Sequence, residues 1–139
     1  MPPSWRRRSE VRAIDTNVVV RFLTNDDKRQ AKAARGAIEA GDIYIALTVL
    51  LEAEWVLRSA YGCEPIRIAE SFRALAGLPT ITVEEPVKLA LALDWMSRGM
   101  DFADALHLAK AEGCTTFLSF DRILAKLAKT NASTPVEEP

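Results

Sequence analysis

Four acids in this sequence sit against apolar stretches rather than in charged surroundings: Asp15, Glu52, Asp104 and Asp121. Asp15 closes the run Val11-Arg12-Ala13-Ile14, and Asp121 follows Thr115 to Leu118 within a few residues. Glu52 shares its helical stripe with Val49 and Val56 in a segment that is otherwise nearly all apolar. A charge there calls for a partner or a metal, whereas the nearby Glu54 reads as a solvated neighbour. Asp104 lies three residues after Asp101, in Asp101-Phe102-Ala103-Asp104-Ala105-Leu106. Carboxylates brought close together cannot all stay ionised without a counter-charge. A divalent cation supplies one, and oxygen donors suit Mg²⁺ or Mn²⁺, which keep waters and take phosphate oxygens as well. One or two such ions activate water and stabilise the departing oxygen of a phosphodiester. That chemistry needs neither cysteine nor histidine, and the single histidine, His107, excludes any mechanism requiring two. His107 itself reads as a structural helix residue.

The elements that would position these acids follow from local signals. Residues 11–14 read as a strand running into Asp15-Thr16-Asn17, a trio suited to capping a helix that ends near Asn25. A second helix covers 27–40 and stops at Gly41, with Lys28, Lys32 and Arg35 as a solvated face. Ile43 to Ala46 is a second strand. Thr48 caps a helix to about Tyr61, stopped by Gly62, and Pro65 opens another that ends at Gly77. Thr80 to Val83 is a third strand, followed by a helix from Pro86 to Arg98. Asp101 opens a helix to Glu112, Thr115 to Leu118 is a fourth strand, and Asp121 starts a final helix to about Lys129. The tail around Thr134 to Val136 is either a short edge strand or loose, Pro135 weighing against the strand. Alternating strands and helices imply crossovers, a mainly parallel sheet and helices on both faces. Strand C-termini and helix N-termini then share one edge, where all four acids can converge beside helix ends that carry partial positive charge. Taken singly, each Asp has a simpler account: Asp15 and Asp121 are good N-caps, and Asp101 with Asp104 complements a helix dipole. Four acids with a convergent topology turn the reading toward function.

The bulk properties set limits. A chain of 139 residues, 49% apolar and 27% charged, fits one globular domain. We assign the fold to residues 11–139 and read residues 1–10, with Arg6, Arg7 and Arg8, as an extension outside it. The net charge of −1 gives no global positive field, so nucleic acid would have to be met by a local basic rim. Cys63 and Cys114 have no ligand-like spacing and read as isolated thiols in a reducing cytoplasm. No segment has the apolar length of a signal peptide or of a membrane span. Trp55 and Trp95, at helical positions with apolar neighbours, read as core or interface residues.

In combination, Ile14-Asp15-Thr16-Asn17 with Arg21, Leu50-Leu51-Glu52 leading into Trp55-Val56-Leu57, Asp101-Phe102-Ala103-Asp104-Ala105-Leu106-His107 and Ser119-Phe120-Asp121-Arg122 resemble the PIN-domain toxins of the VapC family. The likeness runs from about Val11 to Lys129. It implies a three-layer α/β/α sandwich around a short, mainly parallel sheet, and a Mg²⁺- or Mn²⁺-dependent endoribonuclease that leaves a 5′-phosphate. By the resemblance, Asp15, Glu52, Asp104 and Asp121 form the catalytic, metal-holding quartet and Asp101 is a further acid beside it. Thr16, Asn17 and Ser119 become candidates for orienting these carboxylates, although threonine is more usual at the Ser119 position. Arg21 and Arg122 become candidates for contact with RNA phosphates. The family also implies an RNA substrate, a homodimer and inhibition by a cognate VapB-type antitoxin. The residues before Val11 depart from the usual start of such proteins. Two alternatives stay open: a PIN-type nuclease acting on structured DNA, and a PIN-like interaction module without turnover.

Overall fold

The computed structural model describes residues 10–139. Except for Glu10, the extension assigned to residues 1–10 lies outside the described residues. The chain forms two compact units, one ending at Pro86 and the other running from Val87 to Pro139.

The first unit contains β1 (Val11–Ala13), α1 (Thr16–Thr24), α2 (Lys28–Ala40), β2 (Asp42–Ile45), α3 (Leu47–Ser59), α4 (Pro65–Ala76) and β3 (Ile81–Val83). Its strands form a parallel sheet in the order β1-β2-β3. Ile43 stands in register with Arg12 on one side and Ile81 on the other. Both crossovers step the same way along the sheet, so right-handed connections carry both helix pairs over one face. Accordingly, α1 packs against both α2 and α3. Ile43, Ile45, Ile81 and Val83 are buried along the strands.

Helix α1 is rich in β-branched residues that favour strands over helices. Its two ends and its packing hold it helical. Asp15 accepts a hydrogen bond from the Val18 N–H, and Asn25 closes the helix in the left-handed region (φ 55°) with its N–H on the Arg21 carbonyl. Val19 and Val20 are buried. Helix α2 has Asp27 as its N-cap and buries Ala31, Ala34 and Ile38, a stripe at helical spacing, while Lys28, Lys32 and Arg35 are exposed.

Helix α3 begins otherwise than the sequence suggests. Thr48 lies inside the first turn, and the N-cap position is Ala46, which has no side chain to offer. The carboxylate of Glu84, just after β3, accepts from the Leu47 N–H at 2.9 Å instead. An orphan donor at a helix start is satisfied here from a residue far away in sequence.

The second unit contains α5 (Pro86–Ser97), α6 (Phe102–Lys110), β4 (Phe117–Leu118), α7 (Arg122–Asn131) and β5 (Val136–Glu137). The fourth strand does not share a ladder with the first three: β4 pairs in parallel with β5, so the tail is a strand. Pro135 does not prevent this. It precedes β5, and its carbonyl accepts from the Phe117 N–H at 2.8 Å, so the missing proline N–H is never called on. Phe102, Ala105, Leu106, Leu108 and Ala109 bury one side of α6, and Trp95 is buried on α5. No helix among the described residues is long and apolar enough to cross a membrane. With seven helices, a three-stranded parallel sheet and a two-stranded parallel ladder among the described residues, the fold is of the mixed α/β class.

Candidate functional site

Each singled-out acid stands at or near a helix N-terminus. In the first unit, the chain leaves β1 and turns at Asp15, whose one carboxylate oxygen caps α1 at 3.1 Å from the Val18 nitrogen. The next residue, Thr16, donates its hydroxyl to Glu52 on α3. Asp15, Thr16, Asn17, Val20, Arg21, Glu52, Val56, Ala60 and Tyr61 line a cavity of about 530 Å³. The structure thus brings together Asp15, Glu52 and Thr16, and sets Asn17 exposed beside them.

The two glutamates of α3 exchange the places assigned from sequence. Glu52 is exposed, resting on the Thr16 hydroxyl, whereas Glu54 is 2% exposed. Leu47, Leu50, Ala53, Glu54 and Leu57 form the buried stripe of α3, and Glu52 lies off it. Glu54 is not left bare: Arg58, one turn on, donates to it at 2.8 and 3.4 Å. The buried acid is therefore a structural ion pair, and the acid with an accessible carboxylate is Glu52.

Arg21 is held in place by three acceptors. Its Nε donates to Gln30 Oε1 at 2.7 Å, and one terminal nitrogen reaches Asp26 at 2.9 Å and the Tyr61 hydroxyl at 3.2 Å. Tyr61 donates in turn to the other Asp26 oxygen at 2.8 Å. Hydrogen bonds from Tyr61 and Thr24, then from Arg21, bring the Asp26 carboxyl down to about 2. The Asp26 hydrogen bond and charge raise the Arg21 guanidinium. This network joins α1, its following turn and the end of α3, and neither Asp26 nor Tyr61 was singled out from sequence. A tyrosine ahead of Gly62 is the one signal that could have drawn attention to it.

In the second unit, Asp101 is the N-cap of α6 and accepts from the Asp104 N–H at 3.2 Å. Asp104 is half-buried in the first turn. Burial pushes its carboxyl up, and the charges of Asp101 and Asp121 push it further, against a smaller pull from His107. Asp121 caps α7, one oxygen accepting from both the Ile123 and Leu124 N–H groups at 2.9 and 3.0 Å. Ser119 accepts from the Asp121 N–H at 3.0 Å and so fixes the turn that presents this carboxylate. Arg122 is exposed at the start of α7. The simple account of Asp15 and Asp121 as N-caps is thus correct as far as it goes, and Asp101, expected to complement a helix dipole, is an N-cap as well. A carboxylate has oxygens and lone pairs enough to cap a helix and bind a second group.

The donors match a hard divalent cation in kind, being carboxylates, and the repulsion felt by Asp104 is the sort a cation relieves. Among the described residues, no three His, Cys, Asp or Glu side chains are already gathered as a metal cage. Mg²⁺ does not require one, since it is held by one or two carboxylates and completes its shell with waters and substrate oxygens.

No individually characterised protein matches the chain significantly. The PIN domain family, whose members are generally metal-dependent nucleases, matches residues 13–130, from the last residue of β1 into α7 and across both units. On that span this chain belongs to the PIN domain family.

Proposed function

We propose that the protein is a metal-dependent endoribonuclease and the toxin of a type II toxin–antitoxin pair, cutting RNA phosphodiesters. The observation that carries the reading is the cavity in which Asp15 and Glu52 stand together with accessible carboxylates, Glu52 held by Thr16, in a chain of a nuclease family. In the first unit Asp15 and Glu52, and in the second Asp104 and Asp121 with Asp101 beside them, are the side chains that would hold Mg²⁺ or Mn²⁺. When bound, such an ion supplies the positive charge that activates water and stabilises the leaving oxygen. The chain's own residues orient and position. Thr16 fixes the rotamer of Glu52, Ser119 fixes the turn at Asp121, and the N-termini of α6 and α7 favour an anion.

The toxin assignment rests on the ordered set of motifs around Asp15, Glu52, Asp104 and Asp121. Exposed Trp55 and Ile66 on the first unit, and Phe120 and Ile123 on the second, are apolar surface suited to a second copy or an antitoxin. The free Cys63 and Cys114 accord with a reducing cytoplasm.

The test is induced expression in a bacterial host, wild type beside Asp15→Ala, followed by incubation of purified protein with RNA in Mg²⁺ and in chelator. Growth arrest and metal-dependent cleavage by wild type alone are expected. Equal cleavage by Asp15→Ala and Asp104→Ala would sink the carboxylate assignment, and cleavage of DNA but not RNA would select a DNA nuclease.

A further inference from the structure

The cavity that holds Asp15 and Glu52 has a second end, and it is aromatic. Tyr61 lines the same space and is 37% exposed. Its hydroxyl is spoken for, donating to Asp26 and accepting from Arg21. What Tyr61 has left to offer a ligand is its ring. The guanidinium of Arg21, the cation of this cavity, is engaged by Gln30, Asp26 and Tyr61, and Asp26 offsets its charge. The first unit therefore has a groove with acids at one end, a cation already paired, and a ring whose hydroxyl is anchored at two points. Such a groove attracts phosphates poorly and bases well, because every base has a face that stacks on an aromatic ring. The exposed amide of Asn17, which lines the same cavity, can donate to and accept from a base edge.

We infer that Tyr61 is a stacking platform for an unpaired nucleobase of a single-stranded RNA, with Asn17 as a base-edge contact. The inference rests on the proposed RNA substrate, but it concerns binding through a ring and not the cleavage step. A cavity of about 530 Å³ is of the size that takes a small organic ligand, so one nucleotide fits. The groove would accept unstacked nucleotides and discriminate against a duplex, in which base faces are covered.

The experiment uses the full chain and a fluorescein-labelled single-stranded RNA decamer in calcium buffer, with binding followed by anisotropy. Wild type is compared with Tyr61→Phe and Tyr61→Leu, and the decamer with an abasic decamer of the same backbone. Thermal unfolding checks that both variants are folded. Stacking predicts that Tyr61→Phe, which keeps the ring, binds like wild type. Tyr61→Leu should bind about tenfold more weakly or worse, and the abasic strand should bind all forms equally weakly. If Tyr61→Phe and Tyr61→Leu lose affinity alike, Tyr61 acts only through its hydroxyl and the inference is overturned. Equal wild-type affinity for the normal and abasic strands, or no affinity for either, overturns it too. Cleavage in Mg²⁺, read separately with Asp15→Ala, reports on the nuclease reading alone, so base-dependent binding without cleavage would keep the platform and remove the enzyme.

Discussion

Glu52 and Glu54 separate two roles that carboxylates play in proteins. Two residues apart on a helix is a rotation of about 200°, so one glutamate faces the cavity and the other the core. Glu52→Gln keeps an acceptor for Thr16, so it should change stability by less than about 0.5 kcal/mol while removing metal-dependent cleavage. Glu54→Gln disturbs a charge-assisted pair inside the protein and should lower stability by about 1–3 kcal/mol. Urea unfolding beside a cleavage assay checks both, and a stability loss confined to Glu52→Gln would reverse their roles. Asp26 makes a prediction in pH. Its carboxyl is lowered from 3.8 to about 2 in the fold, so the folded state favours the ionised form. The stabilisation it brings is fully present above pH 3.8 and is lost as pH falls through about 2. Carboxyl NMR should show Asp26 titrating well below 3.8, and moving back up in Tyr61→Phe, because the Tyr61 hydrogen bond is the leading cause.

Caps decide the elements. Asp15, Asp27, Asp101 and Asp121 each bond the backbone of their own helix, and each helix starts where its cap is. Helix α3, which carries Glu52, has no side-chain cap of its own, and Glu84 reaches from beyond β3 to its first N–H. Glu84→Ala should therefore cost about 1 kcal/mol, as loss of a helix cap does, and Glu84→Gln, which keeps an acceptor oxygen, should recover most of it. Thr48→Ala, at the position that looks like the cap in sequence, should stay within about 0.5 kcal/mol. Chemical denaturation of the three variants distinguishes the two starts of the helix, and a larger loss at Thr48 would return the cap to that residue.

At the scale of the molecule, Asp104 stands in the first turn of α6 against the charges of Asp101 and Asp121. Metal binding should therefore stabilise the fold by mass action. The thermal midpoint should rise on adding Mn²⁺ and fall back on chelation. Asp104→Asn should abolish that rise, yet without metal it should be no less stable than wild type, because it removes a half-buried charge set against Asp101 and Asp121. A Mn²⁺-induced rise of equal size in Asp104→Asn would take Asp104 out of the metal-holding set. Association with RNA should weaken only modestly with added salt, since the cation in the Asp15 cavity is already paired.

The sequence by itself determined the order of most helices and strands and the starts of those helices that carry their own caps, because those signals are local. Aspartates bond N–H groups two or three residues on, as at Asp15, Asp27, Asp101 and Asp121, and Asn25 and Gly77 stop helices from their own positions. It also determined which acids stand at helix starts, and so the candidates for chemistry. Only the tertiary structure decided which of them are exposed. Helix α3 is apolar nearly all round, so its pattern had no direction, and the burial of Glu54 in place of Glu52 followed from how the helix packs. The cap from Glu84, the pairing of β4 with the tail, and the Arg21–Asp26–Tyr61 network all join residues distant in the chain. Such contacts leave no periodic trace in a sequence, because they arise only where separate elements meet.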